Sequence, residues 1–252
     1  MAKESDFFTS RNTVRDLTTA DLIQVNTYLE PIKAFARTTY SSIYVIDYEK
    51  KGFDYVSDNP LFLCGNTAEE VRQMGYAFYF KYVPKADLDL LLRINTIGFE
   101  FYETIPVENR LKYTITYDFL LQNPKGKAIL INQKLTPMFL TSKGKIWKAI
   151  CVVSLSSEEK SGNVKIYAKG ENKIFKYDLE KNLWRTLQKV RLTNREKEVL
   201  HYSIRGYTIN EIANEIFLSP DTIKFHRRKL FEKLEVTNIT EALAYATNNR
   251  LI

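Results

Sequence analysis

The sequence is poor in the residues that build metal and redox centres. Its 252 residues include two cysteines and two histidines. Cys64 and Cys151 belong to no Cys-x-x-Cys pair, so neither a metal site nor a disulfide scaffold is indicated, and both thiols are expected to be free and buried. His201 and His226 both follow residue 200. A His-ligated haem, a phosphoacceptor histidine and a Ser-His-Asp triad are therefore excluded for the residues before them.

Long apolar runs and glycine-rich loops are also missing. No apolar stretch approaches the ~20 residues that cross a bilayer, and residues 1–6 lead into no signal-peptide core, so we expect a cytoplasmic protein without a membrane segment. The nine glycines are scattered and form no phosphate-binding loop. No Gly-x-Ser-x-Gly elbow is present, and no pair of carboxylates has a helical placement that favours acid-base catalysis. The sequence predicts no catalytic residue, no metal site and no cofactor, and therefore a protein that is not an enzyme.

What the sequence does have is an excess of positive charge near its end. There are 37 Lys and Arg against 30 Asp and Glu, a formal net charge of +7. From Arg185 onward, 12 Lys and Arg stand against 8 Asp and Glu, so about a quarter of the length supplies four of those charges. A local cationic bias favours a polyanionic partner, but charge alone does not identify one.

The same segment has the start signals and apolar spacing of four short helices. Thr193 and Thr208 each precede a glutamate by three residues, which is the capping-box pattern. Ser219 followed by Pro220 is a favourable helix start, and Asn238 provides a fourth. Apolar residues at helical spacing follow each start, so each helix can bury one face. They are Val199, Leu200 and Ile204; Ile209, Ile212, Ala213 and Ile216; Ile223, Leu230 and Leu234; and Ala242, Leu243, Tyr245 and Ala246.

The third predicted helix carries four cations within positions 224–229. At about 100° per residue, one face carries Asp221, Lys224, Phe225 and Arg228, opposite the apolar residues. Only residues 217–219 separate this helix from the preceding one, a connection short enough to set the two helices at a steep angle and let the third enter a major groove. In that position Lys and Arg donate to guanine O6 and N7, and an apolar side chain contacts a thymine methyl group.

A longer pattern runs through these helices. Its residues are Leu192-Thr193, Arg195-Glu196, Glu198-Val199-Leu200, Gly206, Glu211-Ile212-Ala213, Ser219, Thr222-Ile223-Lys224, His226, Lys233-Leu234, Val236 and Glu241-Ala242. It resembles the LuxR-type (GerE-like) helix-turn-helix of bacterial transcription regulators. The resemblance covers about a quarter of the chain and implies base reading by Lys224, Phe225 and Arg228. Phe225 stands where the family commonly has a small residue, and Ile239 where it commonly has Arg.

The resemblance and the charges together define a predicted DNA-binding set. Arg227 and Lys229 flank the base-reading face, where phosphates would lie, and Thr208 and Thr222 could add neutral phosphate contacts. The full set is Thr208, Ser219, Thr222, Lys224, Phe225, Arg227, Arg228 and Lys229. The family's terminal helix implies a dimer contact, for which the candidates are Ala242, Leu243, Tyr245 and Ala246.

The preceding sequence predicts a separate domain with both strands and helices. A helical pattern comes first, although Pro31 falls near its end. Two β-rich segments joined by Lys50-Lys51-Gly52 predict a hairpin, and a helical middle and three more strand-like stretches follow. In order, the predicted segments are a helix at 19–35, strands at 42–47 and 53–57, helical sequence at 59–105, and strands at 112–121, 128–141 and 145–155.

The order of these segments, and the stretches 55–59, 63–65 and 67–71, resemble a PAS domain over about 39–156. The resemblance implies a five-stranded antiparallel sheet with helices on one face, used for sensing or for pairing subunits. Cys64 lacks the Asn-Cys-Arg sequence of flavin-linked light sensors, which argues against photochemistry. The aromatic run 74–83 either lines an apolar ligand cavity or, as is more common for such runs, belongs to the core.

A third region connects the two domains. Segments 164–167 and 173–177 predict a small hairpin, and 178–190 predicts a helical connector. The fold class is therefore α+β, with an N-terminal PAS-like five-stranded antiparallel sheet with helices and a C-terminal all-α four-helix helix-turn-helix domain. The predicted divisions are a helical segment at 1–38, the PAS-like domain at 39–157, hairpin and connector at 158–190, and the DNA-binding domain at 191–252.

These predictions lead to a transcription regulator. We expect it to bind double-stranded DNA as a homodimer, since two recognition helices read more base pairs than one, with a small-molecule ligand in the PAS-like domain as one source of control. The alternative is a protein-interaction adaptor with a PAS-like assembly domain and a basic helical tail, because cationic helices also bind acidic proteins.

Overall fold

The computed structural model describes residues 2–15, 17–23, 28–248 and 251. They form two compact units, Met1–Leu187 and Gln188–Ile252. The predicted hairpin at 164–177 belongs to the first unit. Among the described residues, none of the helices combines the length and apolar composition needed to cross a bilayer.

The first unit is built from strands and helices as predicted, but its sheet is larger than five strands. The strands are β1 (Ser42–Asp47), β2 (Gly52–Val56), β3 (Tyr113–Gln122), β4 (Ala128–Leu140), β5 (Ile146–Leu155), β6 (Gly162–Ala168), β7 (Lys173–Asp178) and β8 (Leu183–Gln188). The helices are α1 (Thr19–Ile23), α2 (Leu29–Ala36), α3 (Ala68–Met74), α4 (Ala77–Tyr82) and α5 (Lys85–Thr104), with 3-10 turns at Glu4–Phe7 and Val107–Lys112.

All eight strands form one sheet in the order β2-β1-β5-β4-β3-β6-β7-β8. The α+β class, the β1–β2 hairpin and the β6–β7 hairpin are confirmed, and the pairings from β1 to β7 are antiparallel. The five predicted PAS-like strands form the contiguous block β2-β1-β5-β4-β3, and the sheet continues beyond them because β6 pairs with β3, with Ile115 opposite Ile166. The predicted helix in the connector is wrong, since β8 occupies that position.

Apolar residues cover both faces of the central strands. On one face, Tyr44 and Cys151 pack in a core that includes Leu91 of α5. On the other face, Ile43 of β1 packs against Ile32 of α2. Strand β1 is consequently buried at all six positions, as is expected of a strand covered on both sides. The resemblance implied helices on one face only, so α2 is an addition to that picture.

The single helix predicted at 19–35 is two helices in the structure. Helix α1 ends at Ile23 and α2 begins at Leu29, and the predicted residues 24–27 lie outside the described part of the chain. Pro31 does not end a helix, because it lies in the first turn of α2, where backbone amides have no partner within the helix.

The aromatic run at 74–83 is mainly core, the alternative that the sequence favoured. Tyr79 is buried, and its hydroxyl lies 2.6 Å from that of Tyr44. Tyr44 donates to Oε1 of Gln133 at 2.7 Å, and Nε2 of Gln133 donates to the Tyr117 hydroxyl at 2.6 Å. Burial raises the pKa of Tyr44 well above its usual value, so these phenols stay protonated. Two cavities beside them have about 30 Å³ each, room for about one water molecule apiece.

The outer face of β1 and β5 contains a buried charge cluster. The Lys148 ammonium donates to the carboxylates of Asp47 and Asp54, and the Tyr28 hydroxyl donates to Asp54 at 2.6 Å. Asp47 is completely buried and Lys148 nearly so. Lys50 approaches both carboxylates from the solvent side. The cluster joins both strands of the β1–β2 hairpin to β5.

The described residues of the second unit form four helices, as predicted. They are α6 (Asn194–Ile204), α7 (Ile209–Glu215), α8 (Pro220–Leu234) and α9 (Ile239–Asn248). The capping boxes at Thr193 and Thr208 are confirmed, each with its glutamate at the third helical position. Asn238 caps α9 by accepting from the Glu241 amide at 2.9 Å. Ile204 departs from the prediction, because its side chain is exposed and does not join the apolar face of α6.

Candidate nucleic-acid interface

Helix α8 begins where the sequence places its start. The Ser219 hydroxyl accepts from the Thr222 amide at 3.2 Å, and Pro220 occupies the first turn, where its missing N–H costs no hydrogen bond. The helix ends at Leu234 and is capped by Glu235, whose φ of 56° is left-handed and whose N–H donates to the Phe231 carbonyl. Both ends of α8 are therefore fixed by local hydrogen bonds.

The apolar face of α8 is buried inside the second unit. Ile223 is completely buried in a cluster with Val199 and Ile212. Leu230 and Leu234 are buried in a second cluster, with Leu200 of α6 and two alanines of α9. Because one helix contributes to both clusters, its rotation about its own axis is fixed, and the opposite face is held toward solvent.

An ion pair in the last turn of α8 also fixes this helix within the unit. The Lys233 ammonium donates to both oxygens of Glu196 at 2.7 Å and to the Arg191 carbonyl at 3.2 Å. The Glu196 carboxylate is only 5% exposed. Burial by itself raises the pKa of Glu196, but the bonds from Lys233 and Thr193 outweigh it and the pKa is lowered. Lys233 is thus a structural cation of the unit, unlike the cations of the exposed face.

The exposed face of α8 presents Lys224, Phe225 and Arg228, as predicted. The Lys224 side chain is 62% exposed, and its ammonium lies 2.9 Å from the Asp221 carboxylate one turn earlier. Phe225 is 47% exposed, and the Arg228 guanidinium lies over its ring at 5.7 Å. The three side chains form one continuous surface, which we call the α8 face.

An acidic residue lies beside the cations at the far end of the α8 face. Glu232 is 2.8 Å from the Lys229 ammonium and 3.9 Å from the Arg228 guanidinium. The hydrogen bond from Lys229, followed by its charge, lowers the pKa of Glu232, so this carboxylate stays ionised. Exposed pairs of this kind contribute about 0–1 kcal/mol each, so an incoming anion can displace them at small cost. The sequence prediction placed Asp221 on the same face as Lys224 but did not assign ion pairs to Asp221 or Glu232.

The other residues of the predicted set lie around this face, and several of their side chains already make contacts within the unit. The Arg227 guanidinium lies 5.7 Å from the Phe231 ring, which holds its stem along the helix. The Ser219 and Thr222 hydroxyls are 2.8 Å apart, and Thr208 donates to Glu211 at 2.8 Å. These hydroxyls are first of all parts of helix caps. His226 is half-buried beside Phe225, in keeping with a packing role.

The predicted dimer residues of α9 divide into two groups. Ala242 and Ala246 are completely buried against the core of their own unit, so they have no surface to offer a second copy. The structure corrects the prediction for these two alanines, because the face of α9 that they occupy packs on α6 and α8. Leu243 and Tyr245 are half-buried at the edge of the same cluster. For them the dimer contact stays a prediction.

The turn between α7 and α8 exposes a residue that the prediction left without a role. Phe217 is 93% exposed, and its φ of 56° is in the left-handed region that non-glycine residues seldom adopt. The backbone around it is held by the Leu218 amide, which donates to the Ala213 carbonyl at 2.9 Å. The connection from residue 217 to residue 219 holds two apolar residues, and only Leu218 packs against the core, so the sequence alone did not single out Phe217.

The helical unit has recognisable relatives among known proteins. Residues 190–246 match the family described as "Bacterial regulatory proteins, luxR family", and they form a luxR-family domain. This segment is 45% identical over 58 residues to the CsgBAC operon transcriptional regulatory protein of Escherichia coli (strain K12), covering 23% of this chain and 27% of that protein. It is 41% identical over 61 residues to the probable transcriptional regulatory protein NarL of Mycobacterium tuberculosis (strain ATCC 25618 / H37Rv), covering 24% and 28%. The match spans little more than a quarter of these curated relatives.

A wider but weaker similarity involves a solved structure. This chain is similar to the structure of the Vibrio cholerae VqmA dimer, described with LuxR-type receptors. The two sequences are 16% identical, the match covers 88% of this chain and 88% of the VqmA chain, and the TM-score is 0.34.

Proposed function

We propose that this chain is a DNA-binding transcription regulator in which a PAS-like first unit controls a luxR-type helix-turn-helix. The observation that carries the proposal is the α8 face. Helix α8 buries one side in two apolar clusters and holds Lys224, Phe225 and Arg228 toward solvent on the other. A helix mounted in this way inside a luxR-family domain is suited to enter a major groove.

Sequence recognition is assigned to the α8 face itself. Lys224 and Arg228 donate to guanine O6 and N7, and Phe225 contacts a thymine methyl group. Each good contact to a guanine contributes about 1–3 kcal/mol of discrimination against the wrong base pair. The exposed pairs with Asp221 and Glu232 contribute no more than about 1 kcal/mol each, so exchanging them for guanine is favourable.

General affinity for DNA is assigned to the residues around that face. Arg227 and Lys229 contact phosphates, and Thr208, Ser219 and Thr222 approach the backbone with hydroxyls from the starts of α7 and α8. These contacts do not depend on base sequence. Their loss weakens binding to every duplex, whereas loss of a base-reading residue weakens binding to the operator alone.

Two copies of the chain are proposed to act together on DNA in the cytoplasm. One helix of this length reads few base pairs, and two copies on half-sites about one helical turn apart multiply the specificity. Leu243 and Tyr245 remain the candidates for the contact between copies. The first unit supplies the control, either through a small-molecule ligand or through the geometry of the dimer.

The proposal is tested by selecting bound sequences from a random duplex pool and measuring affinity for the enriched site by mobility shift. Lys224→Ala and Arg228→Ala should each lose about 1–3 kcal/mol of preference for the enriched site over random duplex. Arg227→Ala should weaken both affinities alike and reduce the slope of log affinity against log salt by about one. Lys125→Ala, which removes an exposed lysine of the first unit, is the matched control.

Two results would contradict this function. One is an unchanged affinity of Lys224→Ala and Arg228→Ala for the enriched site. The other is the absence of any mobility shift by the wild-type chain at low salt, which would favour the protein-interaction adaptor. In that case the cationic α8 face would be tested against acidic proteins instead.

A further inference from the structure

A second cationic site lies in the first unit, in a groove of about 520 Å³. One wall is the N-terminal segment 8–15, and the other is the β4–β5 turn at 141–145, with Lys51 of the β1–β2 turn at the edge. This volume is within the range of small-molecule sites, roughly 300–1,000 Å³. None of the residues assigned to DNA binding takes part in it.

The charge of the groove is of one sign. Arg15, Lys51, Lys143 and Lys145 all line it, and no acidic residue does so among the residues that the structure describes, which do not include Asp16. The nearby Arg11 is different, because it is paired with Glu100 and Glu103. These four cations repel one another, and an anion placed between them relieves that repulsion. The buried Asp21 carboxylate bonds Ser142 from behind and does not line the groove.

The first wall of the groove is held in place by buried groups. Phe7 is buried among the aromatic rings of the core, including Tyr76 and Tyr79. The completely buried Asn12 side chain donates to the Phe7 carbonyl at 2.7 Å and accepts from the Thr9 amide at 2.6 Å. Val14, next to Arg15, is buried as well, so the wall from residue 7 to residue 14 is held by its own interior contacts.

The second wall is joined to the first. The Lys145 ammonium donates to the Ser10 carbonyl at 2.7 Å, which positions the charge without neutralising it. The Ser142 amide donates to the Asp21 carboxylate at 2.8 Å. Gly144, with a φ of 76°, packs so closely on Val107 that a β-carbon there would meet it at 2.7 Å. The turn thus has a fixed conformation, and a ligand would find the groove already formed.

We propose that this groove binds a phosphate-bearing small molecule, up to the size of a nucleotide. Phosphoryl oxygens accept several charge-assisted hydrogen bonds at once, and ammonium, guanidinium and hydroxyl groups are the donors that recognise them. The groove brings all three together: Lys51, Lys143 and Arg15 supply charge, and Ser10 supplies a hydroxyl. The Ser142 hydroxyl already has an acceptor, since it lies 3.4 Å from the Asp21 carboxylate. The inference does not rest on the proposed DNA-binding function.

The test is calorimetric titration of the full chain with inorganic pyrophosphate and with adenosine monophosphate, at constant ionic strength. The double variant Lys51→Gln/Lys143→Gln removes two cations whose side chains are exposed. The matched control is Lys125→Gln/Lys127→Gln, which removes two exposed lysines from the β3–β4 turn. Wild type and control should bind at least one probe saturably, and the groove variant should bind it about 100-fold more weakly, about tenfold for each lost charged contact.

The cationic α8 face also attracts anions, so a second control separates the two sites. Lys224→Ala/Arg228→Ala should bind the probes as wild type does. Tighter binding of adenosine monophosphate would assign the groove to nucleotides, and tighter binding of pyrophosphate to phosphoryl groups alone; either order supports the proposal. The proposal is overturned if neither probe binds saturably to wild type, or if a correctly folded groove variant binds as tightly as the Lys125/Lys127 control.

Discussion

Replacing Lys148 by methionine tests the buried charge cluster of the first unit. Methionine keeps the length of the side chain but removes the ammonium that donates to Asp47 and Asp54. Asp47 is completely buried, and the Asp54 carboxylate is 12% exposed, so water cannot replace the lost cation for both. Lys50 remains near the two carboxylates, but it reaches them from solvent, at 3.7 Å and 3.0 Å.

The expected cost follows from this burial. Breaking a buried ion pair on one side leaves an uncompensated charge and costs about 3–5 kcal/mol of the free energy of unfolding. Lys50→Met is the matched control, because its side chain is 65% exposed and bonds the same carboxylates. Its loss should cost no more than about 1 kcal/mol. The gap between the two variants measures how far burial decides the value of an ion pair in this cluster.

The stabilisation by this cluster also depends on pH. Burial by itself raises the pKa of Asp54. The hydrogen bonds from Lys148 and Tyr28 act in the opposite direction and outweigh burial, so the pKa is lowered to about 2. Since an unfolded aspartate titrates near 3.9, the stabilisation is complete above about pH 5, and up to about 2 kcal/mol is lost as the pH falls toward 2. In Lys148→Met the Asp54 carboxylate loses this cation and takes up a proton more readily. The deficit of this variant should therefore shrink as the pH is lowered.

Urea unfolding followed by tryptophan fluorescence measures these differences in the first unit alone. Both tryptophans of the sequence, Trp147 and Trp184, belong to that unit. Measurements at neutral pH and near pH 4 give the two required comparisons. A Lys148→Met variant no less stable than Lys50→Met at neutral pH would refute the reasoning, as would a deficit that grows in acid.

Two further predictions concern the second unit, and both are measured by far-UV circular dichroism during thermal unfolding. Lys233→Met should destabilise the unit by about 2 kcal/mol, because it leaves the buried Glu196 carboxylate unpaired. The pKa of Glu196 is lowered in the folded unit, so this deficit should be full at neutral pH and fade as the pH falls below about 4; a constant deficit would contradict the pairing. Ala246→Leu should cost about 1–3 kcal/mol by overpacking the core, whereas unchanged stability with weakened self-association would restore Ala246 to a dimer surface.

The second unit was largely predictable because its signals are local. The hydroxyls of Thr193, Thr208 and Ser219 each accept from an amide three residues ahead. Because the cap involves only these neighbouring residues, the sequence pattern is enough to predict it. The side chains of the α8 face were found for the same reason, since helical spacing fixes which residues share a side. The fate of Ala242 and Ala246 was not predictable, because burial in α9 depends on where α6 and α8 pack.

In the first unit, local sequence patterns were not enough to predict the structure. Leu183 and Leu187 are four residues apart, which fits a helix, yet both are exposed in β8. Trp184 decides the conformation instead, packing at 4.9 Å from the rings of Phe101 and Tyr177. Phe101 is more than 80 residues earlier in the sequence. A contact at that separation leaves no periodic trace, and neither does the cluster that joins Lys148 to Asp47.

The central claim, that the α8 face enters a major groove, is tested most directly by methylation interference on the selected operator. A methyl group on guanine N7 lies in the major groove and blocks the acceptor that Lys224 or Arg228 would use. We predict that methylation of at least one guanine in each half-site abolishes binding by wild type, and that Lys224→Ala or Arg228→Ala loses sensitivity at its own guanine. Full binding to an operator methylated at every guanine N7 would contradict the account.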